Sequence, residues 1–368
     1  MSDIKNIPYV ELVERVRSLA REKAKNDTIV RSVINTVYTK DIPREHDWVF
    51  LKSDTAVVCI AEYNTGTVSV NTQGTVCTFY DGIAITSQMT GRKIKFNGNS
   101  NVYEFTYTAA NSGSINPPLS GSINVNSGSY TIYKDIYALP EDFDRFPING
   151  GLLFYQSGQP QPIPEKEDDD YYEEATATPS SVIDSCRLYG MDSAGNWEVQ
   201  LIPPPKTPLV LNCEYLKALN PMKFTTAGTV SVNSGATAVL GAATLFTQAT
   251  TGDYFRVDAN GTNEDSRWHR ITAISDNTGM TISPAFKGDA NAASETYTIC
   301  SAPDYPYRLQ DAIIYGSMRQ ILVDQNDKNF VLYESQYKNS VGANKVLYKN
   351  RKAKDDLDLI ASDYEYRR

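Results

Sequence analysis

Histidine is almost absent from this sequence and cysteine is sparse, and each shortage removes a class of chemistry. The two histidines, His46 and His269, stand in no recognisable catalytic or metal-ligand pattern. The five cysteines form no C-x-x-C pair and no even framework, which indicates reduced thiols. We therefore expect His46 to pack or cap, and His269 to lie on the surface of a strand.

The motifs of common enzymes are missing as well. The sequence contains no phosphate-binding glycine loop, no dinucleotide fingerprint and no G-x-S-x-G elbow. Paired carboxylates that cleave glycosides are recognised by their distance in the fold, so the sequence leaves them open. We expect no enzyme activity, no cofactor and no bound metal.

Long apolar runs do not occur. Residues 1–25 hold no apolar core of the signal-peptide type, and no run reaches the length of a membrane span. With 35 basic and 44 acidic residues the formal charge is −9, which argues against a basic nucleic-acid-binding surface. These features indicate a protein that is made in the cytoplasm and is neither conventionally secreted nor inserted in a membrane.

Tyrosine, by contrast, is abundant, with 24 tyrosines against 12 phenylalanines. Two explanations fit equally well. Tyrosine combines apolar area with a polar tip, which suits surfaces buried against other chains. It also sits well on strands.

An internal duplication organises the middle of the chain. The hexapeptide GTVSVN at Gly66–Asn71 occurs again, unchanged, at Gly228–Asn233. The match continues in the same order: 89–96 corresponds to 250–257, 111–113 to 277–279, and 130–132 to 297–299. Apolar residues alternate with period two in both copies and are interrupted by Gly, Asn and Ser turns. The sequence predicts one small β-barrel or sandwich of five or six strands, used twice, at 66–133 and 228–300.

Helical periodicity appears towards both ends of the chain. Residues 7–25, about 28–39, a stretch ending at about 325 and residues 327–348 carry apolar stripes. Each pair of helices alone is too small to be stable, so we expect the N- and C-terminal helices to close one helical bundle. The predicted fold class is α+β, with a β-rich host segment and the two β-modules inserted into that bundle.

This organisation divides the chain into five segments. The bundle with its first strand takes 1–65 and 301–348, the modules take 66–133 and 228–300, the host segment is 134–227, and a charged tail is 349–368. The host segment contains an acidic loop at 158–181. The spacing of its carboxylates is not that of an EF-hand, which favours a solvated loop over a calcium site.

Several of these segments, in fixed order, resemble the adaptor (head–tail connector) proteins of tailed bacteriophages. They are Ile34–Tyr38 with His46–Leu51, Tyr137–Phe143 after a β excursion, and Leu309–Gly316 followed by a tyrosine-rich helix and a charged tail. The GTVSV opening resembles small β-barrel domains of phage structural proteins. The resemblance covers the host segments and the module pattern. The second module, 228–300, is a departure, because typical short adaptors lack it.

The resemblance implies a virion structural protein at the head–tail interface. It implies a homo-oligomeric ring, usually of twelve copies, between the portal protein and the tail or nozzle protein, with double-stranded DNA passing through without sequence-specific binding. It also implies that the tail docks on the portal. The tail residues of that contact would be Lys349, Arg351, Lys352, Tyr364, Tyr366, Arg367 and Arg368.

The alternative is a host-surface or carbohydrate-binding receptor protein of a phage tail. Trp268, Tyr254 and Tyr103 are then the candidates for contacts on the module surfaces, where their rings could stack on sugars. The competing explanation for these aromatic residues is packing inside the module cores.

Overall fold

The computed structural model describes residues 6–20, 26–81, 85–120, 125–147, 151–156, 159–166, 178–258, 265, 267–289 and 295–348. Most of the acidic loop (167–177) and the whole charged tail (349–368) lie outside these residues, so the predictions for them stay predictions. The chain divides into two compact units. The central unit is Leu51–Ala218, and the terminal unit combines Met1–Phe50 with Leu219–Arg368. The fold class is α+β, as the sequence predicts.

The central unit, in the part that is described, consists of fifteen strands and a short 3-10 helix, Ser87–Met89. The strands are β1 (Lys52–Cys59), β2 (Thr67–Val70), β3 (Val76–Tyr80), β4 (Arg92–Phe96), β5 (Val102–Ala109), β6 (Ser112–Asn116), β7 (Val125–Gly128), β8 (Tyr130–Tyr133), β9 (Ile136–Ala138), β10 (Phe143–Arg145), β11 (Gly151–Gln156), β12 (Gln159–Pro162), β13 (Ser185–Met191), β14 (Trp197–Ile202) and β15 (Leu209–Lys217).

The terminal unit combines helices with a second set of strands. Its main elements are α1 (Tyr9–Ala20), α2 (Asp27–Thr36), β16 (Phe224–Thr225), β17 (Thr229–Val232), β18 (Ala238–Ala242), β19 (Tyr254–Val257), β20 (His269–Ile274), β21 (Gly279–Ser283), β22 (Tyr297–Cys300), α3 (Tyr307–Asp324) and α4 (Phe330–Leu347). No helix among the described residues is long and apolar enough to cross a membrane.

The host segment folds as two antiparallel sheets around one core. One sheet has the strand order β1-β15-β11-β12, with β10 also on β15, and the other has the order β13-β14-β9. Alternating apolar residues of both sheets, such as Leu211 and Val199, meet in this core. The carboxylate of buried Asp135 accepts hydrogen bonds from Lys93 Nζ on β4 (2.5 Å) and Gln200 Nε2 on β14 (2.6 Å). It therefore ties the first β-module to the host sheets.

Both repeated segments fold as closed barrels of the same topology. The first has the order β8-β4-β5-β6-β3-β2-β7. Its first and last strands, β8 and β7, are separated in the chain by Ser129 alone, and this continuity closes the barrel. The second has the order β22-β19-β20-β21-β18-β17, with β16 also on β22. It is closed by backbone hydrogen bonds between Val230 and Glu295, just before β22. The predicted duplication is confirmed.

The first residue of the repeated hexapeptide is a glycine for the same reason in both barrels. Gly66 and Gly228 have φ values of +81° and +83°. A Cβ atom would lie 2.2 Å from the Tyr80 carbonyl oxygen in the first barrel and 2.4 Å from the Ala242 carbonyl oxygen in the second. Any side chain would therefore meet both an unfavourable backbone conformation and a backbone clash.

Matching tyrosines close the two barrels. The hydroxyl of Tyr130 donates a hydrogen bond to the carbonyl oxygen of Thr65 (2.7 Å), and that of Tyr297 donates to the carbonyl oxygen of Ala227 (2.6 Å). Each acceptor lies one residue before the glycine of the hexapeptide. The duplicated Tyr-Thr-Ile sequence is thus explained by the contact that joins the last strand of each barrel to its beginning.

Helix α3 lies at the centre of the helices and contacts α1, α2 and α4. Their bounds lie close to the predicted ones, although residues 21–25 at the predicted end of the first helix lie outside the described residues. Helix α2 continues as a π-helix over Val37–Asp41, and a last helical turn ends at Arg44. Pro43 has no N–H to donate to the Tyr38 carbonyl five residues earlier, and the hydroxyl of Tyr305 donates to that carbonyl instead. Pro43 therefore lies within the last helical turn, Ile42–Arg44, although the predicted helix ended at about residue 39.

Candidate assembly surface

Helix α4 is held against α3 along one narrow stripe. Tyr337, Val341 and Asn344 are its buried residues, and Asn344 Nδ2 donates hydrogen bonds to the carbonyl oxygens of Arg308 (3.3 Å) and Ser340 (2.8 Å). On α3, a Cβ at Gly316 would lie only 3.1 Å from the Tyr337 ring and 2.8 Å from Val37 Cγ1. The missing side chain lets the two helices approach closely.

The charged residues of α4 lie together on one flank. Glu334 Oε2 is 3.2 Å from Arg319 Nη1, whose Nη2 is 3.2 Å from Asp41 Oδ2. Glu334 Oε1 is 2.8 Å from Lys338 Nζ. The hydrogen bond from Lys338, together with the nearby Arg319, holds the pKa of the Glu334 carboxyl below its usual range. Lys345, on the same flank, bonds to Glu45 (2.9 Å).

The opposite side of α4 is exposed and carries no charge. We call this set of residues the outer face of α4: Leu332, Ser335, Asn339, Gly342, Ala343 and Val346. At its ends, Leu332 is 57% exposed and Val346 is 67% exposed. The solvent side of a surface helix is normally charged or strongly polar. The outer face combines small residues with two exposed aliphatic side chains instead.

The outer face also contains a glycine, Gly342, in the interior of the helix. A Cβ at this position would meet no atom within 4 Å, so no contact within the described chain requires glycine. Glycine inside a helix is about 1 kcal/mol less favourable than alanine. Gly316, by contrast, is needed for α3–α4 packing.

The aromatic residues predicted for the module surfaces are buried, and the structure corrects that expectation. Tyr103 is 1% exposed in the core of the first barrel, where its hydroxyl accepts a hydrogen bond from Asn99 Nδ2 (3.0 Å). Tyr254 on β19 is 8% exposed. Neither presents a ring face to solvent on which a sugar could stack.

Trp268 joins the second barrel to α1 instead of facing solvent. Its ring is 4% exposed, its Nε1 donates to the Glu11 carboxylate (2.8 Å), and the Arg256 guanidinium lies over the ring at 4.4 Å. The segment that enters this barrel is also fixed, because the Asn35 side-chain amide pairs with the backbone of Met222 (3.1 and 2.9 Å). The second module is thus docked firmly on the helices.

His269 is fully buried, which corrects the expected surface position. Its Nδ1 donates to the carbonyl oxygen of Pro284 (2.7 Å), and its Nε2 lies 2.9 Å from the Asp265 carboxylate. The same carboxylate accepts a hydrogen bond from the backbone N–H of Lys287 (3.0 Å). Since every polar atom of the ring has a partner, the histidine holds the end of the second barrel together.

The terminal unit contains a cavity of about 290 Å³ beside β16 and β22, whose lining includes Tyr9, Phe224, Asp253 and Cys300. Burial raises the pKa of the Asp253 carboxyl. Burial also raises the pKa of the Cys300 thiol to about 12, which leaves it protonated and unreactive at neutral pH. Among the described residues, no group of His, Cys, Asp and Glu side chains is arranged to hold a metal ion.

The tail residues predicted for docking, Lys349, Arg351, Lys352, Tyr364, Tyr366, Arg367 and Arg368, lie outside the described residues. The tail begins two residues after the end of α4. Sequence reasoning missed the outer face of α4, although a signal was present. Leu332, Ser335, Asn339 and Val346 form an uncharged stripe opposite the stripe that packs on α3.

Comparisons with known proteins give no family. No protein-family model and no curated protein matches the chain. Among solved structures, the translation elongation factor SelB of Methanococcus maripaludis, apo and in complex with the GTP analogue GppNHp, aligns at 10% identity with a TM-score of 0.14. The alignment covers 68% of this chain and 62% of the SelB chain. A likeness of this size carries no argument about fold or function.

Proposed function

We propose that this protein is a structural adaptor of a tailed-bacteriophage virion, which forms a ring between the portal protein and the tail. The observation that carries the proposal is the outer face of α4, an exposed helix face without charge that is followed directly by the charged tail 349–368. A ring-forming adaptor needs a surface for the neighbouring copy and a segment for the portal. In the ring, the outer face contacts the next copy and the tail reaches the portal.

Two further features support this function. The order of the host segments resembles that of phage adaptors, and α3, which carries part of the resemblance, is the helix against which α4 packs. The net charge of −9 also suits a ring through which DNA passes, because an acidic wall does not bind phosphate groups. The protein is accordingly made in the host cytoplasm and located at the head–tail interface of the virion.

The test is negative-stain electron microscopy of the full chain mixed with the portal protein of the same virus. We expect an additional ring layer on the portal. Deletion of 350–368 removes the docking segment and should abolish attachment. Attachment at the wild-type level by that deletion, or the absence of any added layer with the full chain, contradicts the proposal.

A matched pair of substitutions tests the outer face. Val346→Asp places a charge on it, whereas Val323→Asp makes the same change at another exposed valine, on α3. We expect Val346→Asp to leave incomplete or no rings and Val323→Asp to give wild-type rings. Equal behaviour of the two variants would remove the outer face from the ring contact.

A further inference from the structure

Five of the six residues of the outer face of α4 lie symmetrically about its middle, and Gly342 is the sixth. Asn339 is the centre, Ser335 and Ala343 lie four residues to either side, and Leu332 and Val346 lie seven residues to either side. The order is large apolar, small, amide, small, large apolar. The two apolar ends are separated by about 21 Å along the helix.

Such an order is complementary to an antiparallel copy of itself. When two α4 helices pack antiparallel about a twofold axis at Asn339, each residue before Asn339 faces the residue at the same distance after it in the second copy. Leu332 then packs on Val346 of the second copy, and Ser335 packs on Ala343. The exposed aliphatic side chains at both ends of the face, 57% and 67% exposed in the single chain, become covered.

The chemistry of the remaining positions fits this pairing. A side-chain amide has both donors and an acceptor, so two Asn339 side chains on the axis can exchange hydrogen bonds with each other. A polar pair of this kind at the centre of an apolar helix contact fixes its register. Small residues, with Gly342 beside them, allow the helix axes to approach closely. Lys338, one residue from the axis, lies on the flank of the contact and forms an ion pair with Glu334 of its own chain (2.8 Å).

We propose that the free chain is a twofold dimer held by α4 packed antiparallel against α4 of a second copy. This proposal goes beyond the ring and does not depend on it. A twofold contact closes on itself and cannot propagate around a ring. If the ring uses the same face, the dimer must separate before the chain joins the portal, and the dimer keeps the face covered until then.

Cysteine cross-linking of the full chain tests the position of the axis. All five native cysteines are buried, so an engineered surface thiol is the accessible one. Asn339→Cys places two thiols at the axis, and we expect it to form a disulfide-linked dimer under mild oxidation. In Ser335→Cys the two thiols lie about 12 Å apart along the axis, which is beyond disulfide reach. This variant should stay unlinked alone and should form a linked dimer when mixed with Ala343→Cys.

A charge exchange tests the antiparallel direction without any cross-link. Leu332→Asp should raise the dissociation constant of the dimer on the order of 100-fold, since each dimer then carries two carboxylates in the contact. Adding Val346→Lys to the same chain sets each Asp opposite a Lys of the second copy. The dissociation constant of this double variant should be at least about tenfold lower than that of Leu332→Asp alone. The mass is measured by sedimentation equilibrium over a range of concentrations. Circular dichroism confirms that each variant is folded.

Three results would overturn the proposal. They are a monomeric wild-type chain at every concentration, self-linking by Ser335→Cys as efficient as by Asn339→Cys, or a double variant that is weaker than Leu332→Asp alone. A monomeric free chain that still adds a ring to the portal would overturn the dimer only. A dimer that never joins the portal would overturn the adaptor function only.

Discussion

Two glycines in the helices of the terminal unit should respond in opposite directions to the same substitution. Gly342 lies on the outer face of α4, where a Cβ would meet nothing within 4 Å. Gly316 lies on α3, where a Cβ would be 2.8 Å from Val37 Cγ1 and 3.1 Å from the Tyr337 ring. Each change to alanine adds one methyl group to a helix interior, so the two variants share the gain in helix propensity and differ only in what the methyl group meets.

The magnitudes follow from these surroundings. Gly342→Ala should stabilise the terminal unit by about 0.5–1 kcal/mol. For a unit of this size, that gain corresponds to a rise in Tm of roughly 1–4 °C. Gly316→Ala gains the same propensity but overpacks the α3–α4 contact at a cost of about 1–3 kcal/mol. Its net effect should be a loss of up to about 2.5 kcal/mol.

The assay is denaturant unfolding followed by far-ultraviolet circular dichroism, because the four helices described above all belong to the terminal unit. It is carried out at a concentration at which the chain is monomeric. A loss of stability in Gly342→Ala would refute the reasoning, since it would mean that the outer face is covered within the chain. On the same reasoning, Gly342→Ala should weaken contacts between copies, because the methyl group fills the room left for a neighbour.

Three other predictions concern the second barrel. Trp268→Phe removes the indole N–H that donates to Glu11 and should lower the free energy of unfolding by about 1.5–3 kcal/mol, as for hydrogen bonds to charged groups. In a double-mutant cycle with Glu11→Gln, purely additive losses of stability would contradict the contact. Gly228→Ala puts a Cβ 2.4 Å from the Ala242 carbonyl oxygen at a φ of +83°, and should lower the free energy of unfolding by more than about 2 kcal/mol. The control Gly235→Ala, at a φ of +79° with open space around it, should lower it by only about 1–2 kcal/mol. Equal losses in urea unfolding would show that the close approach is not the cause. Burial raises the pKa of Asp253, so the ionised carboxylate lowers the free energy of unfolding increasingly as the pH rises from the unfolded-state pKa of about 3.9 through the folded-state pKa. Asp253→Asn should therefore stabilise the terminal unit at neutral pH and flatten this part of the pH–stability curve. An unchanged curve would contradict the assignment.

The duplication could be predicted from the sequence because its causes are local. Gly66 and Gly228 are required by positive φ values and by nearby backbone atoms, and these requirements keep the same residue types in both copies. The strand patterns follow from alternation of inward and outward side chains. The helices were predictable in the same way, since their apolar stripes match the spacing of the α-helix.

The contacts of the second barrel could not be predicted, because they join distant parts of the chain. Trp268 and Glu11 are separated by 257 positions, and nothing in the local pattern distinguishes a tryptophan that binds a sugar from one that binds a helix. The π-helix was missed for a similar reason. Pro43 is expected to end a helix by local rules. In the structure the hydroxyl of Tyr305, far along the chain, donates to the Tyr38 carbonyl, which Pro43 cannot reach with an N–H.

The terminal unit is assembled from two separated stretches, and this fixes the order in which the chain can mature during synthesis. Tyr9, Ile7 and Tyr38 bond to Ser301, Gln310 and Tyr305, respectively. The early helices must therefore wait for about 270 further residues, which takes roughly 15–50 s at ribosomal speed. The central unit is one continuous stretch, Leu51–Ala218, and can fold during that wait. The apolar stripes of α1 and α2 stay uncovered meanwhile, which makes the early helices the part of the nascent protein with the greatest need for chaperones.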